Sequence, residues 1–213
     1  MDFLPNEIAA YTERYTQKES KLLQELNRDT YANVLTPRML AGHLQGRTLS
    51  MLSKMIQPKI VLEIGTYTGY SAICWSEGLV SGGVVHTIDI NEELEDMANR
   101  YIFKADKKAV IKTYIGSAID IIPTIKEKFD VVYIDADKGN YSNYYDMTFD
   151  SLNSGGYIIA DNVLWSGKVV EPEDQMDEDT SAIVAYCRKV HNDDRVENVL
   201  FPIRDGLLIA RKK

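Results

Sequence analysis

Seven short apolar runs punctuate the chain, and their spacing sets its architecture. They cover residues 59–64, 84–89, 110–115, 131–134, 156–160, 196–203 and 206–211. Each is short and rich in β-branched or aromatic residues, as buried strands are. Stretches of helical period fall between them, at about 71–79, 92–105 and 180–191. Strands alternating with helices predict an α/β fold, a mostly parallel sheet with helices on both faces. Only a short polar link around Arg204 and Asp205 separates the last two runs, so they read as a hairpin. Five parallel strands followed by a hairpin imply that one strand of the sheet runs antiparallel.

Ahead of the first strand, residues 1–57 read as helical. Ile8, Tyr11, Tyr15, Leu22, Leu23 and Leu26 form a loose apolar stripe, and Leu40, Leu44, Leu49, Leu52 and Met55 a cleaner one. A break is expected over about 27–36, and Pro58 stops the helix. The expectation is a single domain over 1–213, with 1–57 a helical amino-terminal segment and 58–213 an α/β core. The tyrosines and leucines of that segment also suit the interface of a homodimer.

Composition narrows the functional classes. A chain of 213 residues can bury a full hydrophobic core, and its 45% hydrophobic content is ordinary globular usage. No apolar run reaches the length of a membrane span, and no basic-then-apolar leader opens the sequence, so a cytoplasmic protein without a membrane partner is expected. Cys74 and Cys187 lie far apart in apolar-periodic segments and read as reduced core residues. The net charge of -8 argues against broad electrostatic binding to nucleic acid.

The strand ends carry the chemistry. The run Val131-Val132-Tyr133-Ile134 leads into Asp135, Asp137 and Lys138, and the run ending at Ala160 leads into Asp161 and Asn162. In an open α/β sheet the carboxyl ends of parallel strands face the ligand crevice. Asp135, Asp161 and Asn162 together offer only oxygen donors, which suit a hard divalent cation: Mg²⁺, with Mn²⁺ or Ca²⁺ as alternatives. Each aspartate also has a plainer reading as the cap of a following helix. The first strand feeds Gly65-Thr66-Tyr67-Thr68-Gly69-Tyr70-Ser71, a glycine turn of the kind that meets a ligand with backbone N–H groups. Glu63, a carboxylate within an apolar strand, needs a partner. Asp89 ends the second strand 24 positions after Gly65 (89 − 65), near the offset at which an acid meets ribose hydroxyls in nucleotide-binding units. Gly116-Ser117-Ala118 follows the third strand and is small enough to lie against a flat ring, or to be an ordinary turn.

These motifs resemble a known family. VLEIGTYTGYS, the acid at Asp89, IDADKGNYSNYY, IIADNVLWSGKV and FPIRDGLLIARK are together similar to class I S-adenosylmethionine-dependent O-methyltransferases. Within these they resemble the cation-dependent branch that contains caffeoyl-coenzyme A and catechol O-methyltransferases and bacterial relatives. The resemblance spans about residue 33 to the end of the chain. It implies a Rossmann-like seven-stranded sheet with the last strand reversed. By motif position it also implies that Glu63, Gly65, Tyr67 and Ser71 hold the methionine and ribose side of S-adenosylmethionine. Asp89 would take the ribose diol, Gly116, Ser117 and Ala118 flank the adenine, and Met39, Asp135 and Asp137 also face the cofactor. Asp135, Asp161 and Asn162 match the family's metal ligands, and Lys138 the lysine proposed as general base, with Asp135 beside it in the catalytic set.

The acceptor implied is a small hydroxylated aromatic with two neighbouring oxygens, and Trp165 and nearby tyrosines are candidates to wall it. Segments 36–46 and 166–179 depart from the plant enzymes, which turns the reading toward a catechol-like diol rather than a coenzyme A ester. A tRNA carrying 5-hydroxyuridine, as methylated by some bacterial relatives, is the alternative. The acidic stretch 171–179 reads as a solvated loop.

Overall fold

The computed structural model describes residues 5–213. Residues 1–4 of the expected helical segment lie outside the described residues. The strands are β1 (Ile60–Ile64), β2 (Val84–Asp89), β3 (Ile111–Ile115), β4 (Phe129–Ile134), β5 (Leu152–Asp161), β6 (Val196–Phe201) and β7 (Leu207–Lys212). They form one seven-stranded sheet in the order β3-β2-β1-β4-β5-β7-β6. All seven expected runs are strands, and β7 is the reversed one, antiparallel to both β5 and β6. By its contacts the chain divides into two compact units, one up to Ala118 and one from Ile119 on.

The first unit carries helices α1 (Asn6–Arg14), α2 (Lys21–Asn33), α3 (Gly42–Ile56), α4 (Tyr70–Ser76) and α5 (Glu95–Lys104) with parallel strands β1, β2 and β3. The expected break over 27–36 is displaced. Ser20 caps α2 by accepting from the Leu23 amide, and α2 then runs unbroken through Asn27 to Asn33. Its buried stripe is Leu23, Leu26 and Thr30, and the polar residues between them lie off that stripe rather than marking a helix stop. The chain instead breaks on either side of α2. Helix α3 ends at Ile56 because Gln57 turns left-handed ahead of Pro58.

The second unit carries α7 (Tyr141–Phe149) and α8 (Glu178–His191), with the short α6 (Ala118–Ile121) at its start. Thr180, Ile183, Tyr186 and Val190 form the buried stripe of α8. The loop expected to be merely solvated has a structural part: Asp177 caps α8, accepting from the Thr180 amide at 2.8 Å, and pairs with Lys168 at 2.6 Å. Both cysteines carry free thiols, as the sequence suggested. Burial pushes the Cys74 thiol up to about 12 and that of Cys187 up to about 11. Among the described residues no helix is long and apolar enough to cross a membrane.

Candidate active site

The register of β4 and β5 builds the acidic site. Ile134 lies opposite Ala160, so Asp135 and Asp161 stand at the ends of neighbouring parallel strands. Asp161 is buried, and both of its oxygens are held: Tyr133 Oη donates to Oδ2 at 2.9 Å and the Asn162 amide to Oδ1 at 2.7 Å. Asn162 takes a left-handed backbone, which asparagine tolerates better than most residues.

Lys138 is only 8% exposed and ties the group together. Its Nζ donates to Tyr141 Oη at 2.6 Å and to Asn162 Oδ1 at 3.1 Å, and pairs with Asp135 Oδ1 at 3.4 Å. An ammonium has three N–H donors, so its capacity is full. The Trp165 ring centroid lies 5.4 Å away on the same Nζ. Tyr141 is fully buried and donates to the main-chain oxygen of Asp161 at 3.0 Å, which links the lysine to the end of β5. Burial, reinforced by the charges of Asp135 and Asp161, holds the Tyr141 phenol well above its usual pKa, so it stays a donor.

These residues fit a divalent cation. Asp135 Oδ1 and Asn162 Oδ1 converge on one cationic point, the Lys138 Nζ. Their donors are hard oxygens, the kind a divalent cation such as Mg²⁺ prefers. Among the described residues no group of three or more His, Cys, Asp and Glu side chains gathers as a metal site, so a cation here relies on the Asn162 amide as well as the acids. Asp137 precedes a 3₁₀ turn without capping it. Its oxygens accept from Tyr144 Oη and Asn140 Nδ2, both at 2.5 Å.

In the first unit Glu63 has the partner its burial demanded. It faces Thr87 across β1 and β2, and Thr87 Oγ1 donates to Glu63 Oε2 at 2.5 Å, with the Thr66 hydroxyl 2.6 Å from that of Thr87. Among the described residues Asp89 accepts from main-chain amides. Tyr67 N donates to Oδ2 at 2.6 Å and Asn91 N to Oδ1 at 2.9 Å. Two carboxylate oxygens accept about four hydrogen bonds, so capacity remains for two ribose hydroxyls. Gly65 and Gly69 have φ of 107° and 86°, open to glycine and strained for other residues. Gly116 N donates to Asp89 O at 2.8 Å, joining the turn after β3 to the end of β2.

A cleft here is lined by Thr66, Tyr67, Asp89, Asn91, Glu95, Ala98, Thr113 and Ile115. Tyr67 and Asp89 were expected; the others were not. The signal for Thr66 and Asn91 was their place beside the glycine turn and the strand-end acid. Glu63, Gly65, Gly116 and Met39 do not line this cleft. Glu63 is linked to the lining residue Thr66 through Thr87, and Gly116 bonds to the lining residue Asp89. Met39 is 61% exposed, and its sulfur accepts from Thr36, whose carbonyl accepts from Tyr67 Oη at 3.1 Å. Ser71 is buried in α4, while Ser117 is half-buried and Ala118 buried; none of the three lines the cleft.

Comparison with known proteins identifies the family. A family model described as O-methyltransferase matches residues 12–213. The chain is 32% identical over 206 residues to caffeoyl-CoA O-methyltransferase of Mesembryanthemum crystallinum, covering 92% of this chain and 81% of that one. It is 30% identical over 210 residues to tricin synthase 2 of Oryza sativa subsp. japonica, covering 92% and 70%. Among solved structures, the O-methyltransferase from Bacillus cereus in complex with SAH superposes with a TM-score of 0.89 at 27% identity, covering 97% of each chain. With the family model matching residues 12–213, the chain belongs to the O-methyltransferase family, enzymes that transfer a methyl group from S-adenosylmethionine to an oxygen.

Proposed function

We propose that the protein is a divalent-cation-dependent O-methyltransferase whose acceptor is a small vicinal diol of the catechol kind. One observation carries the reading: Asp135 and Asn162, from neighbouring strand ends, bring their side-chain oxygens to a single cationic point at Lys138. Asp135, Asp161 and Asn162 hold the cation, Mg²⁺ in the first instance. A cation held there would act as a Lewis acid, making the acceptor hydroxyl easier to deprotonate. Lys138 serves at the acceptor oxygen. As the neutral amine, after releasing one proton to solvent, it exchanges one of its three contacts for the acceptor hydroxyl and receives the hydroxyl proton on its lone pair. Trp165 and Tyr141 give the lysine aromatic surroundings, and Trp165 covers one side of a flat ring.

Glu63, Gly65, Tyr67, Ser71, Asp89, Gly116, Ser117 and Ala118 hold S-adenosylmethionine, with Met39, Asp135 and Asp137 as further contacts. Asp89 takes the ribose diol on the lone pairs left free by its two amide donors. The oxygen nucleophile attacks the methyl carbon in line with its bond to sulfur; an O–C bond forms, the C–S bond breaks, and the sulfonium leaves as a neutral thioether.

Two further observations favour a catechol over tRNA. Relatives named for caffeoyl-CoA act on a molecule that carries a catechol ring. The chain has 24 basic against 32 acidic residues, a poor balance for a polyanion. The test is methyl transfer from labelled S-adenosylmethionine with Mg²⁺, offered a catechol panel and hypomodified tRNA, before and after chelation. Salt-insensitive catechol labelling, abolished by chelator and restored by Mg²⁺, is expected. Full activity after chelation removes the metal reading, and efficient salt-sensitive labelling of tRNA alone reverses the acceptor.

A further inference from the structure

We infer that Asp205, at the tip of the C-terminal hairpin, is a positioning residue that sets the Trp165 wall beside Lys138. The inference rests on the reading of the Lys138 site as the acceptor pocket.

The segment after β5 has an unusual backbone. Asn162, Trp165 and Ser166 have φ of 58°, 43° and 58°, and Gly167 follows at 83°. Left-handed conformations at a tryptophan and a serine are strained and persist only where the surroundings hold them. The antiparallel register supplies the hold. Asp161 lies opposite Leu207, which brings the turn between β6 and β7 alongside the strained segment. The Val163 amide donates to Gly206 O at 3.3 Å and the Leu164 amide to Asp205 O at 2.8 Å. The Ser166 amide donates to Asp205 Oδ1 at 2.6 Å. Gly206, at φ +90°, packs so closely that an added Cβ would lie 2.6 Å from Leu164 Cγ.

Of these contacts only the carboxylate bond depends on a particular side chain. It lands on the residue next to Trp165, inside the left-handed pair. A turn residue needs no such bond, since the Gly206 amide already closes the turn on Ile203 O at 2.9 Å. The Trp165 ring centroid lies 5.4 Å from Lys138 Nζ. A flat acceptor at Lys138 therefore meets a ring whose position is fixed from the hairpin. In sequence, Arg204 and Asp205 read only as a polar link.

The experiment compares Asp205→Ala with Asp205→Asn, which keeps an Oδ1 acceptor, in the full-length protein. Catechol KM and kcat, S-adenosylmethionine affinity and iodide quenching of tryptophan fluorescence are measured. The chain has two tryptophans, and Trp75 is fully buried, so iodide reports Trp165. Asp205→Ala should raise catechol KM by about tenfold with kcat changed less than about threefold, the split expected when acceptor positioning is lost. It should also shift the iodide-accessible emission while leaving cofactor affinity unchanged. Asp205→Asn should restore KM and emission to near the parent values. Unchanged KM and emission in Asp205→Ala, or an Asn variant as impaired as the Ala one, overturns the inference. Should Asp205→Ala fail to fold, Gly206→Ala disturbs the same contact from the neighbouring residue, and parental KM and emission in that variant would overturn it equally. If the parent protein turns over no catechol, the acceptor reading fails, and the fluorescence comparison still decides whether the hairpin sets Trp165.

Discussion

Removing a single oxygen atom at Tyr141 should separate the architecture of the lysine site from its packing. Tyr141→Phe keeps the ring, which meets Tyr186 edge-on at 5.5 Å, and deletes only the phenol. That phenol accepts the shortest Lys138 contact, 2.6 Å, and donates to Asp161 O at 3.0 Å. A hydrogen bond to a charged group contributes about 1.5–3 kcal/mol and a neutral one about 1 kcal/mol. Lys138 keeps its longer contacts to Asn162 and Asp135, so a net loss of about 2 kcal/mol is expected. At this chain length each kcal/mol lowers Tm by roughly 2–4 °C, which gives a fall of about 4–8 °C. With Lys138 less firmly aimed, kcat for methyl transfer should fall by about tenfold while S-adenosylmethionine affinity stays unchanged. The matched control is Tyr186→Phe. Tyr186 Oη is buried without a hydrogen-bond partner among the described residues, so its loss should be neutral or slightly stabilising. Urea unfolding and single-turnover transfer measure both variants. Equal stability and equal kcat in Tyr141→Phe and the parent protein would refute the clamp.

Asp89→Ala should weaken S-adenosylmethionine binding at least about tenfold by calorimetry, because two charge-assisted bonds to the ribose are lost; an unchanged Kd would leave Asp89 with only its two amide donors as a role. Asp161→Ala should abolish Mg²⁺-dependent transfer with cofactor affinity largely intact, and undiminished transfer would remove Asp161 from the ligand set. Glu77 gives a pH signature. Burial acts to raise its carboxyl, yet hydrogen bonds from Arg47 and Ser50 and the Arg47 charge hold it at about 2, below the usual 4.5. A depressed folded pKa stabilises above the unfolded value and is lost as pH falls through the folded one. The difference, 4.5 − 2, corresponds to about 3 kcal/mol. Glu77→Gln should lose that amount at pH 7 and flatten the fall in stability between pH 4.5 and 2; an unaltered acid limb would count against the pairing.

The central strands β1, β4 and β5 were legible because their burial is two-sided where they pass through the sheet, whereas β3 and β6, more exposed, showed only as short runs rich in β-branched and aromatic residues. The hairpin was legible from the brevity of its link. The helical amino-terminal segment was less so. Asn27 looked like a stop, but it is half-buried within a helix whose buried stripe carries on past it to Thr30. The acids at the strand ends were visible, since a carboxylate at the end of a buried strand is conspicuous. What held them was not. Tyr133, Tyr141 and Thr87 reach their partners across strands or from a following helix, through register that no local pattern reveals. Asp205 shows the same limit, since its partner lies 39 positions away in sequence.

The two candidate sites differ in what fixes them, and the difference bears on which can change. Asp89 is held by amides of Tyr67 and Asn91, and the glycine turn by amide bonds to neighbouring strand ends, so that site is specified largely by backbone geometry. Substituting a side chain beside it leaves those donors in place. Lys138 is held by side chains: Tyr141, Asn162 and Asp135, with Trp165 against it. Each can be altered without refolding the strands that carry it. A backbone-specified site suits a ligand that stays the same, and a side-chain-specified one suits an acceptor that varies between relatives. Specificity in this chain should therefore follow substitutions at Trp165 and its supports more closely than any change along the glycine turn.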